Sequence, residues 1–228
     1  MDVCALILAD SRFPGGGHVH SGGLEEAVNR KLVTSEADLP GFLRSRLRTA
    51  GALAAAFAAA SAHAASRSVH SGYWRELDAE LDARTPSPAQ RLASRAQGRG
   101  TARAGAAAWP SPVLTTLLAE TPRPHHPVVC GALTGIAGGA PADAAIAVAY
   151  LAVSGPASAA VRLLGLDPFA VNAVVARLGA EVSRVAEAAA AVAGADPAEL
   201  PAPASPALDL FAEAHARHHE EEVRLFAS

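Results

Sequence analysis

The chain has 228 residues, 50% of them hydrophobic and only 4% aromatic, with a formal charge of −3. That length suffices for one large domain or two small ones around a real core. The charge gives no general pull toward nucleic acid or an anionic membrane. Two cysteines, Cys4 and Cys130, belong to no CxxC pair, which argues against a disulfide framework and for a reducing, cytoplasmic setting.

From the start, MDVCALILADSRF lacks the basic and long apolar regions of a signal peptide. Next comes 13–27, FPGGGHVHSGGLEEA, with five glycines, two histidines and a serine before an acidic helix start. Glycine is entropically costly wherever it is ordered, so the cluster requires a purpose. Ser35-Glu-Ala-Asp38 resembles a capping box with Asp for Glu, Pro40 fits only a first turn, and a helix should run to about Ser66. Ser71 is a candidate cap for a helix over 72–83, whose Tyr73, Leu77 and Leu81 share one face.

Ser87-Pro88 is a cap followed by proline at the first helical position, opening a helix that should stop near Trp109-Pro110. Helices are expected over 127–137 and 141–166, the second bent near Gly155-Pro156. Its uncharged run 144–161 is long enough to suggest a membrane span. Its Ala, Ser and Gly content, Pro156 and the following Arg162 instead read as a buried core helix. Asp167-Pro168 starts a helix to about Val192, and 194–206 (GADPAELPAPASP) reads as a linker. The expectation is an all-α fold, a single helical-bundle domain of about eight to ten helices over 1–194. A Pro/Ala-rich linker (195–206) and a docking helix with tail (207–228) follow.

Several chemistries compete for the distinctive residues. A phosphate loop would need GxxxxGK[ST], and no lysine occurs before Lys31. His18 and His20, or His215, His218 and His219 on one helical face, suit nickel, zinc or copper, but neither set has a thiolate beside it. Ser21 lies outside any GxSxG pattern and suits a helix cap. Cys130, after His125 and His126, sits among apolar residues as a small hydrophobe. With no triad and no paired carboxylates in sight, no catalytic residue is assigned. Arg91, Arg95, Arg99 and Arg103 line one helical stripe, either solvated or partner-facing. Ser94 and Gly98 on that helix let another backbone come close.

The N-terminal stretch resembles the motif P-x-G-[GA]-[FY]-x-x-S-x-G-L-E of the urease accessory protein UreF family, matched by Pro14, Gly16, Gly17, Ser21, Gly23, Leu24 and Glu25. The SAAVRL segment at 158–163, the Ser94/Gly98 pair, and His218 followed by Arg224, Leu225 and Phe226 are similar to further family segments, in order. His18 replaces the family's aromatic, 165–168 (GLDP) its PLGQ, and Glu222 its tail tyrosine.

The resemblance implies an all-helical, non-catalytic protein without cofactor or resident metal. It implies a dimer that binds UreD (UreH) and recruits and regulates the GTPase UreG, so that apo-urease receives nickel in the cytoplasm. Partner-binding residues are then Pro14, Gly16, Gly17, Ser21, Gly23, Leu24, Glu25, Arg162, His218, Arg224, Leu225 and Phe226. The alternative is a metallochaperone binding nickel through its histidines. A weaker one is a small hydrolase using Ser21 or Cys130.

Overall fold

The computed structural model describes residues 2–16 and 20–225, the last seven of these by backbone only. Among the described residues the regular elements are helices, with no strand. They are α1 (Val3–Ala9), α2 (Leu24–Asn29), α3 (Leu39–Arg46), α4 (Ala52–Ala65), α5 (Tyr73–Ala83), α6 (Pro88–Ala108), α7 (Pro112–Glu120), α8 (His126–Ile136), α9 (Pro141–Leu164), α10 (Pro168–Arg177), α11 (Gly179–Ala191) and α12 (Pro206–Leu225). A π turn at Leu47–Gly51 joins α3 to α4 in one continuous rod, which is the helix expected over 40–66.

α4 is the axis of the fold. It is apolar on every side, and residues from Ala55 to Ala62 are all buried, as expected of a helix surrounded by others. Alanine, the best helix former, also lets those neighbours come close. α8 comes closest: a Cβ on Gly131 would lie 2.1 Å from the Ala58 carbonyl oxygen, and one on Gly135 2.4 Å from that of Ala62. Each mid-helix glycine costs about 1 kcal/mol relative to alanine, and here it permits backbone-to-backbone contact. α9 covers another side of α4, with α11 beside both. α9 is long and apolar enough to cross a membrane, but most of it is buried in this core.

Local signals set several helix starts. The Ser87 hydroxyl accepts from the Gln90 amide at 3.1 Å, and the Asp167 carboxylate accepts from the amides of Phe169 and Ala170. The Asp38 carboxylate accepts from the Thr34 and Ser35 amides, both at 3.0 Å, ahead of α3.

Two expectations need correction. The helix expected over 168–192 breaks at Leu178–Gly179, where the fully buried Leu178 anchors the turn from α10 to α11. Ser71 does not cap α5: the cap position is Gly72, at φ +92. Within segment 195–206 the turn at Pro197–Glu199 lies against α5, and Pro197 and Leu200 are buried. Arg84 donates to the carbonyls of Ala198 (2.8 Å) and Leu200 (3.2 Å).

Candidate partner-docking surface

The described glycines of the stretch have different local reasons. The Gly15 backbone rests on α6: a Cβ there would meet Thr101 Oγ1 at 2.7 Å, and one on Gly100 would meet the Gly15 carbonyl at 3.1 Å. Gly22 and Gly23 hold φ of +64 and +92, the left-handed region that favours glycine. A Cβ on Gly23 would press on Leu208 Cδ2 at 3.1 Å. Gly16, at φ +77, faces open space. Ser21 Oγ accepts from the Glu25 amide at 3.3 Å and so helps to satisfy the first turn of α2. Leu24 is fully buried, Pro14 is exposed and Glu25 is half-buried.

α12 packs on the body from Leu208 to His218. Asp209 Oδ1 accepts from Gln90 Nε2 (3.0 Å), and Glu213 Oε1 accepts from Ser87 Oγ (2.6 Å) and the Ala89 amide (2.9 Å). These pairings run antiparallel to α6, and another side of the helix, from Leu208 to His218, lies along α2. There the Phe211 ring lies 5.6 Å beneath the Arg30 guanidinium carbon. Arg30 Nε donates to the buried Glu26 carboxylate at 2.7 Å, while His218 Nδ1 stands 3.6 Å from its other oxygen. Gly17, His18 and Phe226 lie outside the described residues, and Arg224 and Leu225 are described only as backbone of α12.

The small pair on α6 has an intramolecular use. A Cβ on Gly98 would lie 2.0 Å from the Pro124 carbonyl oxygen, so the backbone at 124–126 lies directly on the helix. Ser94 Oγ is 2.9 Å from His125 Nδ1 and accepts from the His126 amide at 3.3 Å. His125 Nε2 is 2.8 Å from Asp82 Oδ1. Burial keeps His125 below its ordinary pKa and so neutral, despite the pull of Asp78 and Asp82. Nε2–H then donates to the carboxylate and Nδ1 accepts from Ser94. The order of groups resembles a Ser–His–Asp relay. However, the hydroxyl is turned to a backbone amide, and Ser94 does not line the nearby cleft formed by Arg95, Glu120, Thr121, Pro122 and Arg123. This arrangement pins the α7–α8 loop to α6, and sequence reading missed it because its members come from α5, α6 and that loop.

The arginine stripe divides in two. Arg95 pairs with Asp78 (2.8 Å) and Asp82 (2.7 Å), and Arg91 donates to the carbonyls of Thr85 and Pro86. Arg99 and Arg103 are exposed. In the SAAVRL segment, Ala159 and Ala160 are buried against the core, whereas Arg162 is exposed and donates to Ser158 Oγ at 3.2 Å.

The thiols are poorly suited to chemistry. Burial pushes Cys4 up to about 12 and raises Cys130 further, so both stay protonated. Cys130 Sγ lies 3.2 Å from His126 Nε2. Among the described residues no group of three or more His, Cys, Asp or Glu is placed to share an ion. Both candidate histidine sets extend beyond what is described, at His18 and at the His219 side chain.

Comparison with known proteins supplies the remaining context. The UreF family model matches residues 33–179. The chain belongs to the UreF family. It is similar to the protein named urease accessory protein UreF from Mycobacterium sp. (strain JLS), at 46% identity over 98% of this chain and 97% of that one. Its counterparts in Mycolicibacterium vanbaalenii and Mycobacterium tuberculosis (strain H37Rv) are 47% and 44% identical over the same shares. A urease accessory protein of this family acts alongside other maturation factors. The all-helical fold agrees with the resemblance carried by the glycine motif.

Proposed function

We propose that the chain is a cytoplasmic, non-catalytic scaffold for urease maturation. It binds UreD (UreH) and recruits and regulates the GTPase UreG, and as a homodimer it supports nickel incorporation into apo-urease. Family membership sets the frame. The observation that carries the reading is the two-part build of α12: from Leu208 to His218 it is tied to α2 and α6, while its backbone, with Arg224 and Leu225, continues past His218. An anchored helix with an extending end is suited to docking by addition of partner surface. In the glycine stretch, exposed Pro14 and open Gly16 offer backbone that a partner can approach.

Co-expression with UreD and UreG from the same organism, followed by size-exclusion chromatography with light scattering, tests this. The informative truncation ends at Arg217, because it keeps Leu208, Phe211 and Glu213 in place. Full-length protein is expected to co-elute with UreD, and the truncated chain to lose it while keeping its own melting point. Absence of any complex with the full chain overturns the scaffold reading. Nickel retained by the isolated chain, and lost on His215→Ala with His219→Ala, would favour the metallochaperone instead.

A further inference from the structure

Pro156 lies inside α9 and has no N–H. The Ala152 carbonyl, one turn earlier, is therefore without its helical donor. Arg46 supplies one: Nε donates to Ala152 O at 3.1 Å, and Nη1 of the same guanidinium donates to Gly22 O at 2.7 Å. One planar fork thus ties the glycine loop to the interrupted helix. The loop backbone lies directly on this pair, since a Cβ on Gly22 would stand 2.8 Å from Arg46 Cζ and 2.9 Å from Pro156 Cγ. Arg46 makes no ion pair among the described residues, and burial lowers its guanidinium to about 10. A cation held by two carbonyls alone is a costly way to join two elements, and a purely structural tie could be apolar.

We propose that Arg46 is a positioning residue for the docking surface: Pro156 bares the Ala152 carbonyl, and Arg46 uses it to fix the 20–24 loop in the orientation that Ser21, Gly23 and Glu25 present to a partner. A lysine is a point charge without the fork and cannot serve both carbonyls in this geometry. This inference rests on the partner-facing reading of the loop, and its test separates the two.

Hydrogen exchange of the full chain, read by mass spectrometry, compares wild type with Arg46→Ala, Arg46→Lys and Pro156→Ala. The reporters are the amides of Leu24 and Glu25, which donate to Ser21 O and Ser21 Oγ. Each variant is expected to exchange there about tenfold faster or more, with α4 protection unchanged. Pro156→Ala is the decisive case, because it restores a helical donor to Ala152, and its melting point should hold or rise while the loop loosens. Unchanged exchange at Leu24 and Glu25 in Arg46→Lys and Pro156→Ala overturns the proposal, and these two decide if Arg46→Ala does not fold. UreD capture by the loosened variants should fall. Full capture by a loosened loop would overturn the positioning role, whereas failure of wild type to capture UreD would instead overturn the scaffold reading.

Discussion

The carboxylate of Glu120 caps the helix that begins with Tyr73: Oε1 accepts from the Gly72 amide at 2.8 Å and Oε2 from the Trp74 amide at 3.0 Å. The last residue of α7 thus satisfies two amides at the start of α5, forty-six residues earlier at the nearer one. Glu120→Ala is expected to cost about 1–2 kcal/mol, read as a lower urea midpoint at unchanged slope. Ser71→Ala, by contrast, should change stability by less than about 0.5 kcal/mol.

Two glycines inside helices should respond oppositely to alanine. At Gly98 the methyl would collide with the Pro124 carbonyl, so Gly98→Ala should destabilise by about 3 kcal/mol or more through forced backbone movement. At Gly41 in α3 nothing beyond its chain neighbours lies within 4 Å of the added Cβ, and Gly41→Ala should stabilise by about 0.5–1 kcal/mol on helix propensity alone. Thermal unfolding of both variants is sufficient, and equal effects would contradict the packing described.

Within the arginine stripe, position decides the cost. Arg95→Ala removes the partner of Asp78, which is nearly fully buried, and should cost about 2–4 kcal/mol. Arg99→Ala should stay within about 0.5 kcal/mol. If the two variants share a denaturation midpoint, the pairing of Arg95 contributes nothing.

Stability should fall in mild acid partly because of His126. Burial, reinforced by nearby His20, lowers its pKa from 6.5 to about 4. The folded state then stays neutral while the unfolded chain takes up a proton, so this contribution is constant above pH 6.5 and is lost as pH falls toward 4. The full loss amounts to about 3 kcal/mol. Paired carboxylates such as Glu181, held low by Arg44 and Arg48, lose stability in the same direction at lower pH. Comparison with His126→Gln isolates the histidine: the variant's midpoint should decline less steeply between pH 6.5 and 4, and parallel curves would count against a buried neutral imidazole.

What the sequence revealed and what it hid follow a physical division. Ser87-Pro88, Asp167-Pro168 and the alanine run after Pro40 carry their instructions within a few residues, and each yields a helix that starts where expected. The α10–α11 break had no such signal, because burial of Leu178 decides it and Gly179 alone reads as a tolerated interior glycine. The Glu120 cap, the His125–Asp82–Ser94 arrangement and the Arg46 fork depend on residues brought together only by folding. The Ser94/Gly98 spacing did announce a close backbone, though not that the backbone was residues 124–126 of the same chain. Of the site residues, Ser21 showed its capping role in advance, whereas the burial of Leu24 depends on α12 and α9 arriving above it.

The contact between α4 and α8 has a consequence for how this fold can err. Gly131 faces the Ala58 carbonyl and Gly135 that of Ala62 with no side chain between them, so there are no rotamers to absorb a slip. Sliding α8 by a single residue would set Ala132 or Thr134 against an oxygen that now meets only hydrogen. The two helices therefore engage like a key in its wards: one alignment turns, and its neighbours jam.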